Sequence, residues 1–379
     1  MPYESMNKES LYAMALTRIS NFNFQTAREL YQEVGSATDI YEHRKHIADI
    51  LPNCSPRLLQ AILNWDEPLR RAEAEMEFAQ RHQIQVLTPL DEAYPARLQE
   101  CVDAPLVLYY RGQADLNCRH VLAIVGTRHC TTYGQDLIRH LLRDLKTLCP
   151  DVLVVSGLAY GVDVQAHTQA LANQMPTVGV LAHGLDQLYP SAHRSVAASM
   201  VEQGGLLTEF MSQTNADKLN FVKRNRIVAG MSDATLLVES ARKGGGLITT
   251  GIACSYARDV FAFPGPVGAT YSEGCNKLIR NRGAELITCA ADLVEAMGWD
   301  DCRALESARN KGIERQLFPN LTDEEQRVVD FLQKRGDQPA NTIAIQGNIP
   351  IHLTNTLLFQ LEMKGVVKPL AGGLYHLLS

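Results

Sequence analysis

Residues Lys218 to Thr250 read KLNFVKRNRIVAGMSDATLLVESARKGGGLITT, and this stretch decides what kind of fold the chain adopts. Ala234 to Val238 is a short apolar run rich in branched residues, which predicts a strand buried on both faces of a parallel sheet. Glu239, Ser240 and the triplet Gly244, Gly245 and Gly246 follow, and a helical segment is expected from about Leu247. A strand, then glycines, then a helix start presents free backbone N–H groups and the positive end of a helix dipole, which suits an anionic oxygen. Just upstream, Lys218, Lys223, Arg224 and Arg226 occur with no acidic residue between Lys218 and Ser232, although the formal net charge of the chain is -6. Phosphate is the ligand class these features indicate. A plainer reading stands beside it, in which Arg224 and Arg226 solvate a helix face and the glycines make a tight turn.

Working outward, strand and helix patterns alternate from Val121 to about Gly298. Strands are predicted at Val121 to Val125, Val152 to Val155, Thr177 to Leu181, Leu206 to Thr208, Ala234 to Val238, Val260 to Phe263 and Glu285 to Thr288. The fold class is therefore α/β, an extended Rossmann-like, doubly wound parallel sheet. Such sheets bind ligands beyond the carboxyl ends of their strands. There stand Gly126-Thr127-Arg128, Ser156-Gly157 through Asp163, His183-Gly184, Glu239 to Gly246, and Pro264-Gly265-Pro266, so a single crevice is expected. Residues 76–120 read as a leading connector with strand candidates at Ile84 to Leu87 and Leu106 to Tyr110.

Residues 1–75 carry helical periodicity, for example Leu11, Met14, Ala15 and Ile19, and predict a small all-α module. Residues 299–318 are charged and aperiodic and read as a linker. In 319–379, Thr322-Asp323-Glu324-Glu325 is a capping box opening a helix, followed by a short helix at Thr342 to Gln346, one from about Pro350 to Met363, and a hairpin around Gly372-Gly373. Three helices and a hairpin make a winged-helix domain. Its third helix offers only His352 and Lys364 against Glu362, so protein contact is at least as well supported as major-groove reading.

Composition bounds the function classes. Apolar residues make up 46% and charged residues 21% of the 379, ordinary for a globular protein of two or three domains. The nine cysteines include no C-x-x-C pair and are odd in number, so neither zinc nor a disulfide framework is indicated, and a cytoplasmic location is expected. No apolar window of membrane-spanning length or secretory leader is visible, so no membrane association is expected. Net negative charge confines any nucleic-acid binding to a local patch.

Several chemistries lose support. No G-x-x-x-x-G-K-[ST] occurs, and Gly126-Thr127-Arg128 does not continue as G-x-G-x-x-G. Ser156 follows two valines rather than a nucleophile-elbow glycine, and reads most simply as a small residue in a strand-to-helix turn. His167 and His183 lack partners at metal-ligand spacing, and Asp163 reads as a helix-dipole partner. One enzymatic alternative is a nucleotide N-glycosidase of the lysine-decarboxylase-like Rossmann type. That class places a glutamate one turn after its glycines, where this chain has Leu247 to Ala253 and no acid. No catalytic residue, metal ligand or cofactor is expected.

Val125 to Arg128, Ser156 to Asp163, FVKRNRIVA at Phe221 to Ala229, GGGLITT at Gly244 to Thr250, Phe263-Pro264-Gly265, Asn276 to Ile279 and Gly283-Ala284 occur in one order that resembles the DprA/Smf DNA-processing family. The similarity is strong over about residues 80–298, with a flanking N-terminal helical module (SAM/HhH-like) and a winged-helix domain matching in kind. What the resemblance implies is a homodimeric single-stranded DNA-binding protein of natural transformation that shields incoming strands, loads RecA and promotes annealing. By position, Arg128 would clamp a phosphate with the amides of Gly126 and Thr127, beside Ser156 and Gly157. Lys218, Lys223, Arg224 and Arg226 would hold neighbouring phosphates, Phe221 would stack on a base, Asn225 would hydrogen-bond, and Gly244 and Gly245 would complete the site. Two departures from the family pattern are Cys275, where Ser or Thr is commoner, and the absence of Glu-Asn after Pro190.

Overall fold

The structure, a computed structural model, describes residues 2–19, 24–50, 56–299, 321–370 and 373–378. All of the expected linker except Trp299 thus lies outside the described residues, as do Cys54, Cys302 and Gly372. Chain contacts divide the protein into residues 1–300 and residues 301–379.

In the first unit, nine strands of the described residues form one sheet: β1 (Gln85–Leu87), β2 (Leu108–Gly112), β3 (His120–Val125), β4 (Val152–Ser156), β5 (Thr177–Val180), β6 (Gly205–Thr208), β7 (Ala234–Leu237), β8 (Asp259–Ala262) and β9 (Glu285–Leu286). Their order is β1-β2-β6-β5-β4-β3-β7-β8-β9. From β6 to β9 every pairing is parallel, whereas β2 joins β6 and β1 joins β2 antiparallel. The expected parallel sheet is present, and the connector extends it with an antiparallel edge. β4, β5, β7 and all of β3 beyond His120 are buried, which is why each reads as a continuous apolar run. Successive strands step away from β3 in one direction through β6, then the chain returns to its other side with β7. The crevice at that reversal, between β3 and β7, is where the geometry of a doubly wound sheet leaves room for a ligand.

The N-terminal helices are α1 (Pro2–Arg18), α2 (Phe24–Val34), α3 (Ala37–Glu42), α4 (Ile47–Ile50), α5 (Pro56–Leu63) and α6 (Asp66–Arg81). The boundary expected at residue 75 falls inside α6. Met14, Leu16, Leu30, Ile40, Ile62 and Trp65 share one buried cluster with Leu106, Val107, Tyr109 and Met211, so these helices and the sheet region have a common core. At that junction the buried Glu75 carboxylate accepts from the Ser212 amide (2.9 Å) and hydroxyl (2.5 Å) and pairs with Arg71 (2.8 Å). Burying a carboxylate is costly unless it is paired and hydrogen-bonded, and here it is both.

The helices after the junction are α7 (Ala96–Gln99), α8 (Thr132–Leu148), α9 (Val162–Ala172), α10 (Arg194–Gln203), α11 (Lys218–Gly230), α12 (Gly245–Ser255), α13 (Glu273–Arg280) and α14 (Ala290–Met297). α8 buries Ile138, Leu141, Leu142, Leu145 and Leu148, the stripe a helix of 3.6-residue period turns toward a sheet, and Thr131 caps it by accepting from the Gly134 amide at 3.3 Å. Trp299, the first residue of the expected linker, is instead buried and stacks on His120 with ring centroids 4.7 Å apart.

His167, on α9, is fully buried; its Nδ1 lies 2.7 Å from Thr177 Oγ1, while Nε2 has no hydrogen-bond partner among the described residues. Burial, helped by the positive charge of Arg224, pulls its pKa from 6.5 down to about 3. Because the unfolded chain would bind a proton that the native state refuses, stability falls as pH drops from 6.5 toward 3. We expect this histidine to cost up to about 1.4 kcal/mol per pH unit in that window. Urea midpoints of wild type and His167→Gln at pH 7 and pH 5 check it, the variant losing less between the two.

The second unit contains α15 (Asp323–Arg335), β10 (Gln338–Pro339), α16 (Ala340–Gln346), α17 (Ile351–Met363), β11 (Val367–Leu370) and β12 (Leu374–Leu377), with sheet order β10-β12-β11. The predicted capping box forms: Glu325 accepts from the Thr322 amide (2.8 Å), and Thr322 Oγ1 accepts from the Glu325 amide (3.3 Å). Lys364 Nζ sits 2.7 Å from both Glu325 oxygens, so one of the two cations counted for the third helix is already paired.

Candidate nucleic-acid interface

Three segments bound the crevice. The β3–α8 loop follows Val125, the β4–α9 turn follows Ser156, and the β7–α12 loop follows Leu237. α11 packs against α12 and forms the remaining wall. Together they enclose a cavity of about 600 Å3.

The β3–α8 loop is held by Glu239. Its backbone carbonyl accepts from the Thr127 amide at 2.8 Å, and its carboxylate accepts from the Thr131 amide (2.8 Å) and hydroxyl (2.6 Å). Arg128, at the crest of this loop, is exposed and has no ion-pair partner among the described residues. Its guanidinium carbon lies 5.2 Å from the centre of the Phe221 ring, within cation–π range. The Thr127 amide is occupied by Glu239 and does not point to a ligand, which corrects the expected pair of amide donors.

Gly161 has a φ of +79°, and a Cβ there would come within 2.2 Å of the Thr127 carbonyl oxygen, so the β4–α9 turn can approach the β3–α8 loop only with glycine. On the opposite wall, Gly244 is the N-cap of α12 and offers no side-chain cap, and a Cβ on Gly245 would meet nothing within 4 Å. The first turn of α12 is thus without a side-chain cap, and Gly244, Gly245 and Gly246, at the positive end of its dipole, line the cavity.

Ten of the thirteen residues predicted for the site line this one cavity: Gly126, Thr127, Arg128, Gly157, Lys218, Phe221, Arg224, Asn225, Gly244 and Gly245. Their roles differ from the expectation at several positions. Arg224 is buried beneath the cavity rather than reaching into solvent. Its Nη1 donates to the Gly157 carbonyl (2.6 Å) and to that of Val180, and its Nε donates to Asn225 Oδ1 (3.2 Å). Burial pulls the Arg224 pKa down, and the neighbouring Asp163 carboxylate offsets this. Burial likewise raises the Asp163 pKa against the pull of Arg224. Arg224 thus supplies fixed positive charge under the floor while joining two strand ends.

Three predicted residues are not in the lining. Ser156, the last residue of β4, is fully buried and donates to the Ile124 carbonyl at 2.6 Å, tying β4 to β3. Arg226 is buried on another face of α11, where it donates to the Asp103 carbonyl (2.6 Å) and pairs with the buried Glu209 carboxylate. Successive residues of a helix are about 100° apart, so four cations within nine residues cannot share one face. Lys223 is exposed outside the cavity, where its charge acts on Glu209.

The sequence reading missed Lys243, Tyr160 and Tyr189, all of which line the cavity. Lys243 directly precedes the glycine triplet, and that adjacency was the available signal. The cations Arg128, Lys218, Arg224 and Lys243 outnumber the acids Asp163 and Asp217, and Asp217 is engaged as the α11 cap, accepting from the Asn220 amide at 2.8 Å. The cavity is electropositive in a protein of net negative charge, with aromatic rings at its walls.

A family model described as DNA recombination-mediator protein A matches residues 85–298. The putative DNA processing protein DprA of Mycobacterium tuberculosis is 34% identical over 312 residues, covering 79% of this chain and 78% of that protein. Protein Smf of Escherichia coli K12 is 31% identical over 338 residues, 88% of each chain. Among solved structures, DprA of Streptococcus pneumoniae matches with a TM-score of 0.65 at 29% identity, covering 75% of this chain and 97% of that one. DprA of Helicobacter pylori, described by its single-stranded DNA binding mode, matches with a TM-score of 0.52 at 27% identity, covering 57% and 96%. A crevice at the sheet's reversal point, the ordered motifs around it and a family model spanning over half of the sequence agree: the chain belongs to the DprA/Smf DNA-processing family.

Proposed function

We propose that this protein binds single-stranded DNA in the crevice between β3 and β7 and breaks no bond there. The observation that carries this reading is Arg128, exposed without an ionic partner and poised over Phe221, in one cavity with Lys218, Lys243 and the uncapped start of α12. Cations set among aromatic rings are what an unpaired strand requires: phosphates meet charge, and unstacked bases meet π faces. Because phosphate contacts dominate, sequence preference is slight. The single-stranded DNA binding mode described for the Helicobacter pylori relative supports single-stranded DNA as the ligand.

The wider role follows from family membership as a proposal: a homodimer in the cytoplasm that shields incoming strands in natural transformation, loads RecA onto them and promotes annealing. No helix of the described residues is long and apolar enough to cross a membrane. The C-terminal unit is proposed to be a winged helix used for protein contact. On α17, His352 is exposed among Phe359 and Met363, and Lys364 is paired with Glu325, a poor set for gripping phosphate. The N-glycosidase alternative needs an acid after the glycines. α12 has none, and the two acids in the lining are engaged with the Ala159 amide and Arg224 (Asp163) and with the α11 cap (Asp217).

Titrating a labelled oligothymidylate at several salt concentrations tests the proposal. If three phosphates are neutralised, log K should fall against log salt with a slope of roughly -2. Duplex binding as tight as single strand, or affinity indifferent to salt, would defeat the proposal; free base released from nucleoside monophosphates would restore the enzyme.

A further inference from the structure

Phe221, expected to stack on a base, already has Arg128 over its ring and a steeply inclined contact with Tyr189, the two centroids 5.9 Å apart at 60°. The freer aromatic surface in the cavity belongs to the two tyrosines. Tyr160 is 49% exposed and Tyr189 50% exposed, and neither phenol oxygen has a hydrogen-bond partner among the described residues.

Tyr160 is built into its position. The turn that carries it holds two residues in the left-handed region, Leu158 at φ +54° and Gly161 at φ +79°. Leu158 is a fully buried non-glycine, and such strained backbone persists only where the surroundings over-determine it. The Tyr160 ring packs in a T-shaped pair with that of buried His193, with centroids 4.9 Å apart at 71°. His193 is itself fixed, its Nδ1 lying 2.9 Å from the Leu158 carbonyl oxygen. A ring braced by a fixed neighbour yet still half exposed offers surface to a base without the ordering cost that a loose surface side chain would bear on binding.

We infer that Tyr160 is a base-stacking residue of this site, that Tyr189 is a second, and that Arg128 and Lys243 serve the phosphates between them. This rests on the single-strand reading above and adds the ligand's bases to it. A tyrosine platform is indifferent to base identity, because every base has a π face, and leaves the count of neutralised phosphates unchanged.

The test compares wild type, Tyr160→Ala and Tyr160→Phe on an oligothymidylate and on an abasic strand of equal length. On the oligothymidylate, Tyr160→Ala should bind roughly 5- to 100-fold more weakly with an unchanged salt slope, and Tyr160→Phe should stay near wild type. On the abasic strand, Tyr160→Ala and wild type should match. Equal binding of the oligothymidylate by Tyr160→Ala and wild type overturns the inference, as does an equal loss on both strands. A wild type that ignores single strands altogether sinks the underlying reading, and this inference with it.

Discussion

Replacing Arg128 with alanine should weaken binding to a single-stranded oligonucleotide by roughly 10- to 100-fold, the size expected for losing one charge-assisted contact. Arg128 is exposed, and none of its contacts among the described residues ties it into the fold beyond the Phe221 ring, so the thermal midpoint should hardly move. The salt slope should become shallower by about 0.7, because one phosphate fewer is neutralised. Arg128→Lys should recover part of the affinity, since a lysine keeps the charge but lacks the planar fork that meets two phosphate oxygens at once. The three readouts together separate a phosphate clamp from a general electrostatic contribution. An Arg128→Ala variant with wild-type affinity and slope would place the DNA elsewhere on the molecule.

Arg226→Ala should do the opposite: cost stability and leave the salt slope alone. Arg226 and Glu209 are both buried, with side-chain exposures of 8% and 2%. Burial already raises the Glu209 pKa against the pull of Arg226, so removing the arginine strands a carboxylate in the interior. Breaking such a pair costs about 3–5 kcal/mol, a large share of the roughly 5–15 kcal/mol that holds a domain folded. Removing both charges in Arg226→Met with Glu209→Leu should recover much of the loss, because the penalty lies in the orphaned ion rather than in the missing attraction. Lys223→Ala, three residues away on the exposed face, should change stability by no more than about 0.5 kcal/mol. Both tryptophans, Trp65 and Trp299, lie in the unit of residues 1–300, so their fluorescence in urea follows the unfolding that matters. Should Arg226→Ala unfold like wild type yet bind DNA with a shallower slope, its assignment to the core is wrong.

These two arginines show where sequence reading stops. Both lie in motifs that resemble the family, and both are cations near glycines. Charge and spacing say that a basic segment exists, and they do not say which side chains share a face with the ligand. The periodicity of α11 carries that information weakly, since Asn220, Arg224, Ile227 and Val228 are all buried beside polar neighbours, blurring the apolar stripe. Ser156 and Arg224 were legible as residues at strand ends, yet their bonds to the Ile124, Gly157 and Val180 carbonyls join segments 32 to 67 residues apart. No local pattern encodes such a meeting. Tyr160 and Tyr189 escaped for the same reason: nothing near Tyr160 in the chain announces that His193 will brace it.

The chain's own residues determined that strands and helices alternate from β3 to β9, that glycines and anion-seeking helix starts would collect at one end of the sheet, and that a capped helix opens the C-terminal unit. These are consequences of side-chain period and backbone chemistry, which act over a few residues at a time. Only the folded protein decided that the connector would extend the sheet antiparallel, that the N-terminal helices would share its core, and that Arg128 would face the cavity while Arg226 turned inward to Glu209. Those outcomes depend on which distant surfaces come together to exclude water, and a burial energy of that kind belongs to the assembled structure rather than to any segment of it.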